Sequence, residues 1–160
     1  MRYIECPQKF EFANYWSTDK KDYSPTVFLA GSISECFNWQ SELVQLLSQR
    51  NITLINPRRQ NFDINKENLI KEQIEWEYHH LRRVDIISFW FSYETLAPIT
   101  LFELGSALHT DSEIVVGCHP DYKRREDVIF QCRLVNPYIK VVNDLLDLSE
   151  NIIESASHFV

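Results

Sequence analysis

Apolar positions along this chain fall into short continuous runs, separated by stretches in which they recur every three or four residues. Thr26–Ala30 (TVFLA) is a run that ends at Gly31, the form of a buried strand. Trp39, Leu43, Leu46 and Leu47 then follow at helical spacing. Thr53–Ile55 predicts a second strand, stopped by Asn56-Pro57. After a long polar stretch, Leu69, Ile70, Ile74 and Leu81 mark a helix of about four turns. Asp85–Phe91 (DIISFWF) is apolar on both faces, as a central parallel strand covered on each side should be. Pro98–His109 suits a helix with proline in its first turn, and Glu113–Cys118 (EIVVGC) a fourth strand. Glu126–Val135 reads as a helix, Tyr138–Val142 as a fifth strand, and Leu145 onward as a last helix.

Strands alternating with helices imply right-handed crossovers. The expected fold is therefore α/β: one Rossmann-like (flavodoxin-like) sandwich around a central, mostly parallel five-stranded sheet. Residues 1–25 alternate between aromatic and charged and are closed off by Ser24-Pro25. They read as an N-terminal extension packed on a domain formed by residues 26–160. Sheets of this kind bind ligands beyond the carboxyl ends of their strands, where strand order reverses. Gly31-Ser32, Asn56-Pro57, Ser92–Pro98 and His119–Tyr122 stand at those ends.

Composition narrows the function. A length of 160 residues fits one domain with a proper core. A net charge of −7 argues against general nucleic-acid binding, which needs a basic face. Cys6, Cys36, Cys118 and Cys132 lie far apart with no CxxC pair, so neither a metal site nor a redox motif is supported. Cys36 and Cys118 read as buried free thiols. No segment has the form of a secretion signal, and no apolar run approaches membrane-spanning length. The expectation is a cytoplasmic protein with a small-molecule ligand, no membrane and no nucleic acid.

Three places carry candidate chemistry. At Gly31-Ser32-Ile33-Ser34 a glycine lets the backbone approach a ligand, while hydroxyls and amides can hold a phosphate or sugar. The competing reading is an ordinary capped turn. Glu103, in LFELG, shares a helix face with Ile99 and Ala107, so it points among apolar neighbours, where an unpaired carboxylate is costly. Glu77 interrupts the stripe Ile70, Ile74, Leu81 of its own helix, although a salt bridge to Arg82 or Arg83 would also explain it. Two inward glutamates are what glycosidic cleavage requires, one as nucleophile and one as proton donor and acceptor. Arg58 or Arg59 could meet a phosphate, or stand in a solvated turn. His79-His80 cannot point one way on a helix, and Asp85 at a strand start fits pairing better than catalysis.

With these residues in view, the chain resembles the nucleoside 2-deoxyribosyltransferase-like family. The segments that carry the likeness are VFLAGSI, NPRR, QIEWEYHHLRRVDIISFWF, ETLAPITLFELGSAL and PDYKRREDVIFQ, in order from Val27 to about Gln131. The resemblance puts the nucleophile on Glu103 and the acid on Glu77, where relatives commonly have Asp. It gives Gly31, Ser32 and Ile33 contact with the sugar or its 5′ end, where similar nucleotide hydrolases hold phosphate. Relatives lend a polar residue from a neighbouring subunit, and Asp127 is the nearest match, implying a homo-oligomer (dimer or larger) with shared sites. Relatives also carry an aspartate before the nucleophile that orients the base; here the loop reads SYETLAPI, with Glu94 and Thr95 instead. Base recognition is accordingly not implied. Phe37 and Trp39 are candidates to stack on the base, while Trp90 and Phe91 read as core.

The implied activity is transfer of a 2-deoxyribosyl group between nucleobases through a covalent glycosyl-glutamate, with no metal and no cofactor. Hydrolysis of 2′-deoxynucleoside 5′-monophosphates, with Arg58 or Arg59 on the phosphate, is the alternative. A non-catalytic nucleotide-binding module and a glycohydrolase of NAD-like dinucleotides follow, the last lacking a dinucleotide fingerprint.

Overall fold

The computed structural model describes residues 1–13, 22–60 and 67–159. Residues 14–21 of the expected extension and 61–66 of the polar stretch lie outside the described residues. The strands are β1 (Arg2–Glu5), β2 (Thr26–Gly31), β3 (Thr53–Asn56), β4 (Ile86–Phe91), β5 (Glu113–Cys118) and β6 (Val141–Val142). The helices are α1 (Trp39–Leu46), α2 (Glu67–Leu81), α3 (Pro98–Ala107), α4 (Arg125–Val135) and α5 (Leu145–Ser157).

The sheet runs β1-β3-β2-β4-β5-β6, and every neighbouring pair is parallel. It has six strands, not the five expected. Arg2–Glu5 adds an edge strand beside β3, with Arg2 opposite Thr53 and Glu5 opposite Asn56. Four residues of mixed polarity at a sheet edge bury only one side, so they leave no long apolar run to read. The last strand shrinks to Val141–Val142, because Tyr138 is exposed and residues 136–139 form a turn.

All six residues of β4 are buried, as a strand covered on both faces demands. On one face Trp39 and Leu43 of α1 and Leu148 and Ile152 of α5 pack on Val27, Leu29 and Ile86. On the other, Trp76 of α2, Leu104 of α3 and Val128 of α4 pack on Phe28, Phe89 and Val116. Asp85 ties the start of the central strands together, accepting from the Thr26 amide (2.7 Å) and hydroxyl (2.6 Å) and from the Tyr23 hydroxyl. The chain leaves β2 toward β3 on one side and crosses to β4 on the other. The switch point therefore lies between Gly31 and the end of β4.

Gly31 is required there by packing. A Cβ at this position would stand 2.5 Å from Trp39 Cζ2 and 2.7 Å from the Trp90 carbonyl oxygen. The indole is held in the core and the carbonyl belongs to a central strand, so neither can withdraw cheaply. Gly31→Ala should cost about 1–3 kcal/mol, read as a lower urea midpoint at unchanged m-value.

Candidate functional site

Helix α2 leads into β4 and α3 leads away from it on the same face of the sheet, and a groove of about 380 Å³ separates the two helices. The buried side chains Ile87 and Ala107 border it, and the exposed Ile74, Tyr78, Ile99 and Phe102 form its walls. Glu77 and Glu103 enter this groove from opposite helices. A larger hollow of about 550 Å³, beside β5 and α5, is lined by Glu113 and Glu154, but there Glu113 is engaged with His158 at 2.8 Å.

Both helices are rotated slightly from the sequence expectation, and the rotation makes the groove. The buried face of α2 is Gln73, Trp76 and His80, not the stripe Ile70, Ile74, Leu81, and Ile74 is 59% exposed. In α3 the buried residues are Thr100, Leu104 and Ala107, while Ile99 is exposed. Each glutamate thus stands at the boundary between core and groove, half-buried, and is not sealed in the interior. His79 is exposed and His80 buried, so the adjacent histidines do diverge.

The two carboxyls have different surroundings. Glu77 Oε1 accepts a 2.7 Å hydrogen bond from Gln73 Nε2. Burial raises its pKa above the ordinary value and this bond pulls it back. No described residue hydrogen-bonds to Glu103. Burial, and then the charge of Glu77, push Glu103 up to about 8. Two carboxyls in one low-dielectric groove cannot both ionise cheaply, so near neutrality Glu103 keeps its proton.

The other expected residues gather at the carboxyl ends of the strands. The carbonyl of Ser32 accepts from Trp39 Nε1 (2.9 Å), Gln40 Nε2 (3.2 Å) and Cys36 Sγ (3.3 Å), which fixes the turn Gly31-Ser32-Ile33. Trp39 is fully buried, a correction to its place as a base-stacking residue: it holds the turn from inside the core. Cys36 is only half-buried, though like Cys118 it is a free thiol. Arg58 donates to the carbonyls of Phe37 and Cys36 and to Gln40 Oε1, each at 3.0 Å. Its guanidinium is a brace for the loop after β2. Glu94 accepts from the Phe37 amide at 3.1 Å and from the Ser92 hydroxyl, closing the switch point from the β4 side. Thr95 Oγ1 accepts from the Ala97 amide at 3.3 Å. Ala97 itself is left-handed (φ 44°), an arrangement that costs an alanine about 1–2 kcal/mol and sets the direction in which α3 departs.

Asp127 lies elsewhere. It pairs with Arg124 at 3.0 Å and borders a separate groove beside Leu104 and Leu108. Within one chain, neither it nor the Gly31 turn is among the residues that border the glutamate groove. Gln73 is the residue the sequence reading passed over, although its place four positions before Glu77 on the same helix was a usable signal.

Among the described residues, no three His, Cys, Asp or Glu side chains converge to hold a metal ion, and no helix is long and apolar enough to cross a membrane. Comparison with known families gives one match: a family described as "Nucleoside 2-deoxyribosyltransferase like", over residues 24–122. The matched span holds the Gly31 turn, both glutamates and the switch-point loop. No curated protein matches the chain.

Proposed function

We propose that this chain, which belongs to the nucleoside 2-deoxyribosyltransferase-like family, breaks the N-glycosidic bond of a nucleoside or nucleotide through a sugar ester on Glu103. The observation that carries this reading is the pair of carboxyls in one largely apolar groove, Glu103 raised to about 8 partly by the charge of Glu77. The singly protonated pair keeps its proton on Glu103 at rest, and the reactive state is the tautomer in which that proton has passed to Glu77. An oxygen of ionised Glu103 bonds to the anomeric carbon as the bond from that carbon to the base nitrogen breaks. The Glu77 proton passes to the departing base. The Glu77 carboxylate then takes a proton from the incoming base or water, whose attack at the anomeric carbon releases Glu103. Two displacements retain configuration at the sugar.

A homo-oligomer with shared sites belongs to the same reading. Phe102 is 77% exposed and Leu134 80% exposed, on the neighbouring helices α3 and α4. Asp127 borders a separate groove in its own chain, and in this reading a second copy supplies it to the sugar. Chromatography of 2′-deoxynucleosides and their 5′-monophosphates, incubated with and without a second free base, tests the function. A new nucleoside that forms only with the acceptor base is the expected result. Free base and sugar phosphate without exchange would instead make the chain a nucleotide hydrolase. Absence of turnover with all of these substrates would leave the non-catalytic module or the NAD-like substrates.

A further inference from the structure

Glu77 is held from behind by residues that the family likeness does not assign. Gln73 is buried, and its side-chain amide is fully engaged. Its Nε2 donates to Glu77 Oε1 at 2.7 Å and to the Pro57 carbonyl at 2.8 Å, which uses both N–H groups. Its Oε1 accepts from the Cys6 thiol at 3.0 Å. The flipped amide would set an oxygen against a carboxylate and a carbonyl, and leave the thiol facing an NH₂ group. The network therefore admits one orientation. Cys6 is itself buried just beyond β1, and burial drives its thiol up to about 12, so it remains a protonated donor.

We propose that Gln73, with its amide oriented by the Cys6 thiol, is a positioning residue that aims the Glu77 carboxyl into the α2–α3 groove. The N-terminal edge strand thereby supports the site: β1 brings Cys6 to Gln73, and the Trp76 indole donates to the Gln8 carbonyl at 2.9 Å one turn away. The proposal rests on the reading of Glu77 as the acid of the pair. The charged and titratable groups around Glu77 are Glu103 on α3, Tyr78 on its own helix, Arg82 in the turn that follows that helix, and Cys6 just beyond the edge strand. Arg59 follows β3 and is paired with Glu72 at 2.7 Å. Among the described residues, Gln73 is the hydrogen-bond donor that reaches Glu77.

Gln73→Met keeps the volume of the side chain and removes the donor. The expected result is a rise of about one pH unit in the acidic limb of the kcat/KM profile, and so about a tenfold loss of rate below that limb. KM changes little. Carbon-13 NMR of the glutamate carboxyls, with Glu77 assigned through Glu77→Gln, should show the same rise in its titration. Cys6→Ala should move the titration in the same direction by less, and Cys6→Ser, which keeps a donor, should bring it back toward the wild-type position. An unmoved Glu77 titration in Gln73→Met overturns the proposal. Should that variant fail to fold, equal titrations in wild type and Cys6→Ala overturn it instead. Because the titration needs no substrate, the positioning is decided even if the wild-type chain turns over no nucleoside, an outcome that would refute only the reading of the activity.

Discussion

Glu103→Gln should abolish turnover and make the protein more stable. Loss of the nucleophile removes the covalent route, so kcat falls by at least about a thousand-fold. The stability gain follows from the proton. Glu103 titrates near 8 in the folded chain against an ordinary value of 4.5, so folding holds a proton that the unfolded chain has already released. Stability tied to this group is fully present below about 4.5 and is lost as pH rises through about 8. A neutral glutamine avoids that loss, for a gain of about 2–3 kcal/mol at pH 7. Urea unfolding at pH 7 should show the gain, and the same comparison at pH 4 should show almost none. A carboxylate that served only to hold the fold together would behave the opposite way, with its removal destabilising at neutral pH.

Glu77→Gln should separate the two roles. With both glutamates present, kcat/KM rises as the pair loses its first proton and falls near pH 8 as it loses the second, since the doubly ionised pair has no acid left to give. Glutamine cannot protonate the leaving base, and its cost in kcat is about a hundred- to ten-thousand-fold. The shape of the profile changes as well. The falling limb disappears, and the rising limb becomes the titration of Glu103 alone. That limb lies below 8, because the charge of Glu77 is gone, and above 4.5, because burial is the larger cause and persists. A substrate whose base leaves without protonation should recover most of the lost rate. A variant that keeps the falling limb would place the acid on another residue.

The alternation of runs was enough to locate most of the elements. TVFLA, DIISFWF and EIVVGC became β2, β4 and β5 to within a residue, because strands buried on both faces leave continuous apolar runs. Arg2–Glu5 left none, being short and at an edge, and so the sixth strand was invisible. Helical phase was the second loss. Apolar residues at 70, 74 and 81 seemed to define an inward stripe, yet Trp76 and His80 occupy that face while Ile74 lines a groove. A groove wall and a core face are both apolar, and spacing alone does not separate them. The two glutamates were legible because acids that interrupt apolar stripes are costly without a purpose. The contact of Gln73 with Cys6 was not, since the two lie 67 residues apart and only the pairing of β1 with β3 brings them together. For Arg58 and Trp39, residue type suggested ligand contact, while their hydrogen bonds are spent on the loop after β2.

The central claim is the sugar ester on Glu103, and it is tested most directly by intact-protein mass spectrometry. The chain is mixed with a 2′-deoxynucleoside or its 5′-monophosphate without acceptor base, quenched in acid during turnover, and mapped by peptide. An added mass of one deoxyribosyl unit, or of its 5′-phosphate, on the peptide and side chain of Glu103 is the predicted result, and it should vanish on addition of a free base. Release of base with no adduct, or an adduct on Glu77, would contradict it.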